Sequence, residues 1–517
     1  MQSSDYLTPG RILGGKIGVN AVNNSDLLLM NSLGQLYTAQ VTDFAAVANI
    51  GSTVIAQTTV NTTASATATN NKHAIYSAMD GATFIVTANA TPNANAKIYK
   101  YTSSGSLAAS LQIDSAGGNL SYPTIVQLSN NNIAVVWICG AASATLQFII
   151  LDRSLNVLTA AVTLSTAATF CDAIALSGGG FSIAYAAGSG MVQAIYSNTG
   201  SVVSASTAIS GSPTTNPSGI QIQLSNGNIM MAIASSTSSK ALGFAINTIA
   251  GAQVSAYTGL NTGTNSGLTI PRISAMASGS PSAGFVAIEG ISGTTYNLYV
   301  LNNAGTQQGT TFTVASGTTT TDWLTNDGTL FWGCLTTGSG AFIYSIPITG
   351  GAGVISTTSV SSSSSAIFVD KGLVTLVGSS PTIVVYQPSA VGTPSVVNQV
   401  ASSNPATPSS NATGALYATV TPDFSILLAS EINSTGAIFV NLKYMTAVIM
   451  GVSQQTFSAG NSGTATTLNH GGGSGKNAFP SNQMIGTVGK SFDHSTSAII
   501  GNKGTMYLNG CVLEGIA

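Results

Sequence analysis

A short turn of Gly, Asn or Asp followed at once by an apolar, β-rich run recurs eight times along the chain. It stands at Asp80-Gly81-Ala82-Thr83-Phe84, Asn130-Asn131-Asn132-Ile133, Gly179-Gly180-Phe181 and Asn226-Gly227-Asn228-Ile229, then at Ala283-Gly284-Phe285, Asp327-Gly328-Thr329-Leu330, Lys371-Gly372-Leu373 and Pro422-Asp423-Phe424. The first large apolar residues of successive copies lie 43 to 56 residues apart, with a mean of about 49. About fifteen residues after each anchor comes a second apolar run, such as Ile98-Tyr99-Lys100-Tyr101, Phe148-Ile149-Ile150-Leu151, Leu298-Tyr299-Val300-Leu301 or Ile438-Phe439-Val440. A further run precedes the turn, and in Ile220-Gln221-Ile222-Gln223-Leu224 the period of two predicts Ile220, Ile222 and Leu224 on one face of a strand.

Each unit therefore reads as four strands: one leading into the turn, one leaving it, a third, and a fourth after a second turn. A period of roughly 40–50 residues with four strands per unit is the pattern of a β-propeller. The predicted fold is all-β, a propeller of seven or eight four-stranded antiparallel blades over residues 72–445. Intertwined fibres, β-solenoids and sandwich arrays are the competitors. Solenoid coils repeat at about 20–30 residues, and nothing here repeats at half of 49. Residues 1–71 read as an N-terminal arm or docking segment with one strand pair, Leu27–Met30 and Gln35–Tyr37, and a Thr/Ala-rich stretch. Residues 446–517, with the glycine cluster Gly471-Gly472-Gly473-Ser474-Gly475, read as a small C-terminal β module or extension.

Charge changes the picture. The chain has 13 Lys and Arg and 15 Asp and Glu among 517 residues, or 5% charged, where roughly 25% is usual. So few cations cannot neutralise a run of phosphates, which argues against nucleic-acid binding. Polybasic membrane docking falls for the same reason, and no run approaches the ~18 apolar residues of a membrane helix. Ser, Thr, Asn and Gly replace the missing charges, so the predicted surface is neutral and polar. Met1-Gln2-Ser3-Ser4-Asp5-Tyr6 has neither a basic start nor an apolar run, so no cleaved secretory signal is expected there. Cys139, Cys171, Cys334 and Cys511 are dispersed, form no CxxC pair, and read as buried thiols on strands.

Candidate chemistry is sparse. With three histidines, twelve aspartates and three glutamates, the chain shows no HExxH, phosphate loop, GxSxG elbow or Asp-rich calcium loop. His470 and the neighbours Asp493 and His494 do not make a metal cluster, and no metal, cofactor or catalytic residue is expected. A sialidase-like site would need to gather Arg11, Arg153 and Arg272, the only arginines. The stretch Asp327-Gly328-Thr329-Leu330-Phe331-Trp332 reads as a hairpin turn rather than an Asp-box. A two-carboxylate glycosidase could draw on Asp114, Asp152, Asp172, Glu289 or Glu431. Neutral glycans are held by aromatic stacking and uncharged hydrogen bonds, but Trp137, Trp323 and Trp332 read as packing between blades.

The repeats Leu-Ser-Asn-Asn-Asn-Ile (128–133) and Leu-Ser-Asn-Gly-Asn-Ile (224–229), the turn Ser-Asn-Thr-Gly (197–200) and the segment Ala-Val-Ile-Met-Gly-Val-Ser-Gln-Gln-Thr-Phe-Ser-Ala-Gly (447–460) together resemble tailed-bacteriophage virion structural proteins. The resemblance implies a non-enzymatic component of tail, neck or capsid appendage, with no functional residue carried over. It implies a rigid platform assembled in the host cytoplasm and released by lysis, homo-oligomeric, and partnered with other virion proteins and with host-surface glycan. The alternative is a non-virion adhesin or lectin for neutral glycans; a glycan hydrolase on a propeller comes third.

Overall fold

The computed structural model describes most of residues 72–356 with their side chains and, outside that span, mainly the backbones of strands. The strands form eight four-stranded sheets and one closed barrel. In the sheets, neighbouring strands follow chain order and pair antiparallel, as Ile133–Cys139 does with both Ser121–Gln127 and Thr145–Leu151. First strands of consecutive sheets touch all the way round, the eighth returning to the first. The fold is thus an eight-bladed β-propeller, and the periodicity located its blades. Seven of the eight turn-strand anchors lie in second strands, and Phe424 stands just before Ser425–Ile432.

Blade one comprises Ala74–Ser77, Ala82–Ala88, Ala96–Tyr101 and Leu107–Gln112; blade two, Ser121–Gln127, Ile133–Cys139, Thr145–Leu151 and Val157–Ser165. Blade three comprises Phe170–Ala175, Phe181–Ala187, Gly190–Tyr196 and Val202–Ala208; blade four, Pro217–Gln223, Ile229–Ser235, Leu242–Asn247 and Gln253–Asn261; blade five, Arg272–Ala275, Phe285–Ser292, Thr295–Asn302 and Phe312–Val314; blade six, Thr318–Asn326, Leu330–Thr337, Gly340–Pro347 and Val354–Ile355. Burial follows position in the blade. Second and third strands such as Ile133–Cys139 and Gly190–Tyr196 are buried along their whole length, because each blade is covered by a neighbour on both faces. Fourth strands such as Val202–Ala208 are almost wholly exposed.

The cores lie between blades. Phe148 of blade two meets Phe181 of blade three edge-on at 5.3 Å and Tyr196 at 4.6 Å, inside a cluster that also holds Val136, Ile150 and Ile183. Each cluster joins adjacent blades, so stability builds up by nearest neighbours, as in other repeat proteins. Trp137 and Trp332 are fully buried and Trp323 nearly so, as their strand positions predict. Cys139, Cys171 and Cys334 are buried free thiols. Burial pushes the Cys139 thiol up to about 12 and that of Cys171 well above its ordinary value. The side chain of Cys511 lies outside the described residues.

Two turns repeat in register. In the first-to-second turn, the Leu128 N–H donates to Asn132 O and the Leu224 N–H to Asn228 O, both at 2.8 Å. Asn130 and Asn226 fold back to accept from the N–H two residues on. In the third-to-fourth turn, the oxygen of Thr102, Asp152, Ser197, Thr248 or Asn302 accepts from the N–H four residues on. Such side chains replace ladder partners where the strand stops. Gly180 has φ +82°, and a Cβ there would stand 2.1 Å from the Tyr196 carbonyl. Gly180→Ala is expected to lower stability by at least about 2 kcal/mol, readable as a lower urea midpoint; an unchanged midpoint would contradict the close approach.

The ring closes through a strand from far upstream. Val54–Asn61 is the fourth strand of blade eight, antiparallel to Gly436–Lys443 with Thr58 opposite Phe439 and Val54 opposite Leu442. The other compact unit consists of Met1–Val47 and Lys443–Ala517. Its strands form a closed barrel in the order Ile12–Ile17, Gln35–Thr38, Leu27–Met30, Val448–Val452, Thr487–Lys490, Lys503–Leu508, Cys511–Ile516, with the first and last paired in parallel. The expected pairing of Leu27–Met30 with Gln35–Thr38 is present, Leu29 opposite Tyr37. Residues 1–71 and 446–517 thus supply all seven barrel strands and the closing strand of the ring; the glycine cluster 471–475 lies outside the described residues.

Candidate functional site

Antiparallel neighbours put the first-to-second and third-to-fourth turns of blades one to seven on one face. Adjacent blades are stapled there: Asn198 of blade three donates to Ser129 Oγ of blade two, and Asn303 of blade five to Ser225 Oγ of blade four, each at 2.8 Å. Between blades two and one the same place is taken by Arg153, which donates to Ser77 Oγ at 2.6 Å and pairs with Asp80. Burial acts to raise the Asp80 carboxyl, but Arg153, the Ala82 N–H and Lys100 outweigh it and hold the group below its ordinary value.

On this face, at the inner ends of blades two to four, lies an open depression of about 490 Å3. Gln127, Ala175 and Gln223, the last residues of three consecutive first strands, stand at equivalent positions around it. Leu128 and Leu176 form its floor, and Ser129, Asn131 and Ser177 its rim. Gln223 is held at both ends, its Oε1 accepting from the Ser177 N–H at 2.8 Å and its Nε2 donating to Gly227 O at 2.9 Å. No lining residue is charged or aromatic.

A second polar feature runs through the interior. Lys72, just ahead of the first strand of blade one, reaches across blade two to Asp172 of blade three at 2.6 Å. Asp172 is wholly buried and also accepts from the Gln221 N–H at 2.8 Å. Gln221 continues to Ser182 at 2.6 Å and Gln193 at 3.0 Å, and Gln193 accepts from Asn247 at 2.6 Å. Burial raises the Asp172 carboxyl above its ordinary value, against the opposing pull of Lys72 and the Gln221 N–H. Alternation predicts Ile220, Ile222 and Leu224 on the covered face, and they are at least half-buried, but Gln221 on the opposite face is buried as well. The reason is that both faces of an inner strand contact protein.

A third group joins blades five and six. Tyr296 and Tyr344 both donate to Glu289 Oε2, Tyr296 at 2.7 Å, and touch each other. All three residues are buried, and burial raises both phenols well above their ordinary value. No route from solvent to a substrate follows from this geometry, and the group ties blades together.

The sequence-derived candidates do not converge. Asp152 caps its own turn through Ser154 and Asn156, Asp172 and Glu289 sit in the separate groups just described, and Asp114 lies by Cys139. The side chain of Glu431 lies outside the described residues, as do Arg11, His470, Asp493 and His494. Arg153 serves the turn staple and Arg272 stands opposite Glu289 in blade five, so the described arginines do not gather. Asp327 makes the expected hairpin turn, its carboxylate accepting from Thr329, Leu330 and Trp332 Nε1 at 2.7 to 2.9 Å. Among the described residues no three His, Cys, Asp or Glu side chains group as metal ligands.

No family model and no curated protein sequence matches the chain. Solved structures similar to it are propellers. The Dos1 propeller aligns with a TM-score of 0.50 at 10% identity, covering 75% of this chain and 94% of its own. The polysaccharide lyase Uly1 gives 0.44 at 9% identity over 82% of this chain and 98% of its own. The Pseudomonas aeruginosa periplasmic gluconolactonase PpgL gives 0.39 at 12% identity over 63% and 97%. The expectation that the chain is not an enzyme is corrected by this comparison, because enzymes, a fungal alcohol oxidase also among them, stand beside it on the same architecture. At such identities the likeness shows the fold alone, a β-propeller, and chemistry has to be argued from sites.

Proposed function

We propose that the chain is a structural component of a tailed-bacteriophage particle, in its tail, neck or a capsid appendage. It assembles there with copies of itself and with other virion proteins and presents its turn-bearing face to the host surface. The observation that carries this reading is a band of apolar side chains left in water. Leu107, Val157, Leu158, Val202, Val203 and Val254 are 50 to 60% exposed and open the fourth strands of blades one to four, just after the turn. The exposed positions recur from blade to blade on the outer edge strands, and outer edge strands invite a neighbour. The low charge supports the same reading, since contacts built from apolar and uncharged polar groups are little affected by salt. On this reading the protein assembles in the host cytoplasm and leaves by lysis.

The test is mass spectrometry of gradient-purified particles from lysates of the encoding replicon. The protein is expected in particles at a fixed stoichiometry and is expected to stay there through a 1 M salt wash. Recovery only in the soluble fraction overturns the proposal and favours a free glycan-binding protein.

A further inference from the structure

We propose that the depression at the inner ends of blades two to four binds a short stretch of neutral polysaccharide. The argument begins with hydrogen-bonding capacity. Gln127 Nε2 donates to Asn131 Oδ1 at 3.1 Å, which leaves Gln127 Oε1 and Asn131 Nδ2 for a ligand. Ser129 Oγ accepts from Asn198 and keeps its own hydrogen, and the Ser177 hydroxyl has no protein partner among the described residues. The rim therefore offers both donors and acceptors, matching sugar hydroxyls, which both give and accept. The leucine floor suits the C–H face of a sugar ring.

Charge excludes the anionic sugars. A uronate or sulfate entering the depression would lose water with no cation among the lining residues to replace it. The rim is also set in advance, because Gln223, Gln127 and Asn198 are held by bonds within or between blades, so little ordering is required on binding. About 490 Å3 falls within the ~300–1,000 Å3 of small-molecule sites and accommodates about two or three sugar rings. Without an aromatic platform and with an open mouth, each site should bind with a Kd on the order of 1 mM. Several copies on one particle raise the avidity.

The site deepens the host-facing part of the proposed function but is measured on the isolated full chain. Saturation-transfer NMR with maltotriose, cellotriose, mannotriose and chitotriose, and with trigalacturonate as the charged comparison, is the experiment. At least one neutral trisaccharide is expected to receive saturation and trigalacturonate none. Ala175→Trp, at an exposed position, fills the depression without entering the core and should reduce binding at least about tenfold; Gln127→Ala should weaken it several-fold. Thr207→Trp, on the outer strand of blade three, should leave it unchanged. Silence from all four neutral sugars, equal binding of trigalacturonate, or binding that survives Ala175→Trp overturns the proposal. Binding by a protein that is missing from particles would sink the virion reading and leave this site standing. A particle protein that binds no sugar does the reverse.

Discussion

Replacing Gln57 and Thr58 together by proline is expected to lower the stability of the propeller by about 3 kcal/mol or more. Consecutive residues of a strand aim their N–H groups to opposite sides, so one of the two prolines must remove a ladder bond between Val54–Asn61 and Gly436–Lys443. The consequence exceeds one hydrogen bond, because this is the only strand among the described ones that joins a blade across a long stretch of chain. When it lets go, blade eight loses its outer strand and the ring can open between blades eight and one, where the inner strands meet. The same lesion at Thr207 and Ala208, which face Gln193 and Val192 in the fourth strand of blade three, is the control. There the chain runs on into blade four and the ring stays shut, so the loss should be clearly smaller. Urea unfolding followed by hydrogen exchange reads both. Equal losses at the two places would contradict closure by the upstream strand.

Asp172→Ala is expected to cost about 3 kcal/mol, toward the lower end for a broken buried pair. It removes the acceptor of the Gln221 N–H and the partner of Lys72, although the Lys72 side chain, 32% exposed, can return to water. Asp172→Asn keeps an acceptor at that place and isolates the charge. Burial raises the folded carboxyl above its unfolded value, so the stability it contributes is fully present below the ordinary aspartate range and is lost as pH rises through the raised value. The difference between the wild-type protein and Asp172→Asn should therefore move in favour of asparagine as pH rises above the ordinary aspartate value of 3.8. Movement toward aspartate as pH rises would show that Lys72 outweighs burial.

What could be read in the chain, and what could not, follows from distance along it. The turns Leu128–Ile133 and Leu224–Ile229 carry their own asparagine acceptors within a few residues, so their local chemistry is written in contiguous sequence and located the blades. Val54–Asn61 is different: its partner begins at Gly436, and its composition differs little from the Thr/Ala-rich stretch around it. Asp172 looks like one polar residue in an apolar run, and nothing nearby points to Lys72, a hundred positions upstream. The depression is likewise assembled from three turns a blade apart, each of which alone is only a turn. Trp137, Trp323 and Trp332 lie buried between blades, as their strand positions predict, which removes them from any exposed stacking role. Sequence alone carries no separation between Asp172 and Glu289, and in the fold they answer to different partners in different blades.

The assembly claim turns on the apolar band of the outer strands, and cryo-electron microscopy of purified particles tests it most directly. The account predicts eight-bladed rings at a symmetric position, with Leu107, Val157, Val202 and Val254 buried against a neighbouring subunit and the depression beside Gln127 and Gln223 open to solvent. Rings absent from the particle, or present with that band facing water and the turn-bearing face buried, would contradict it.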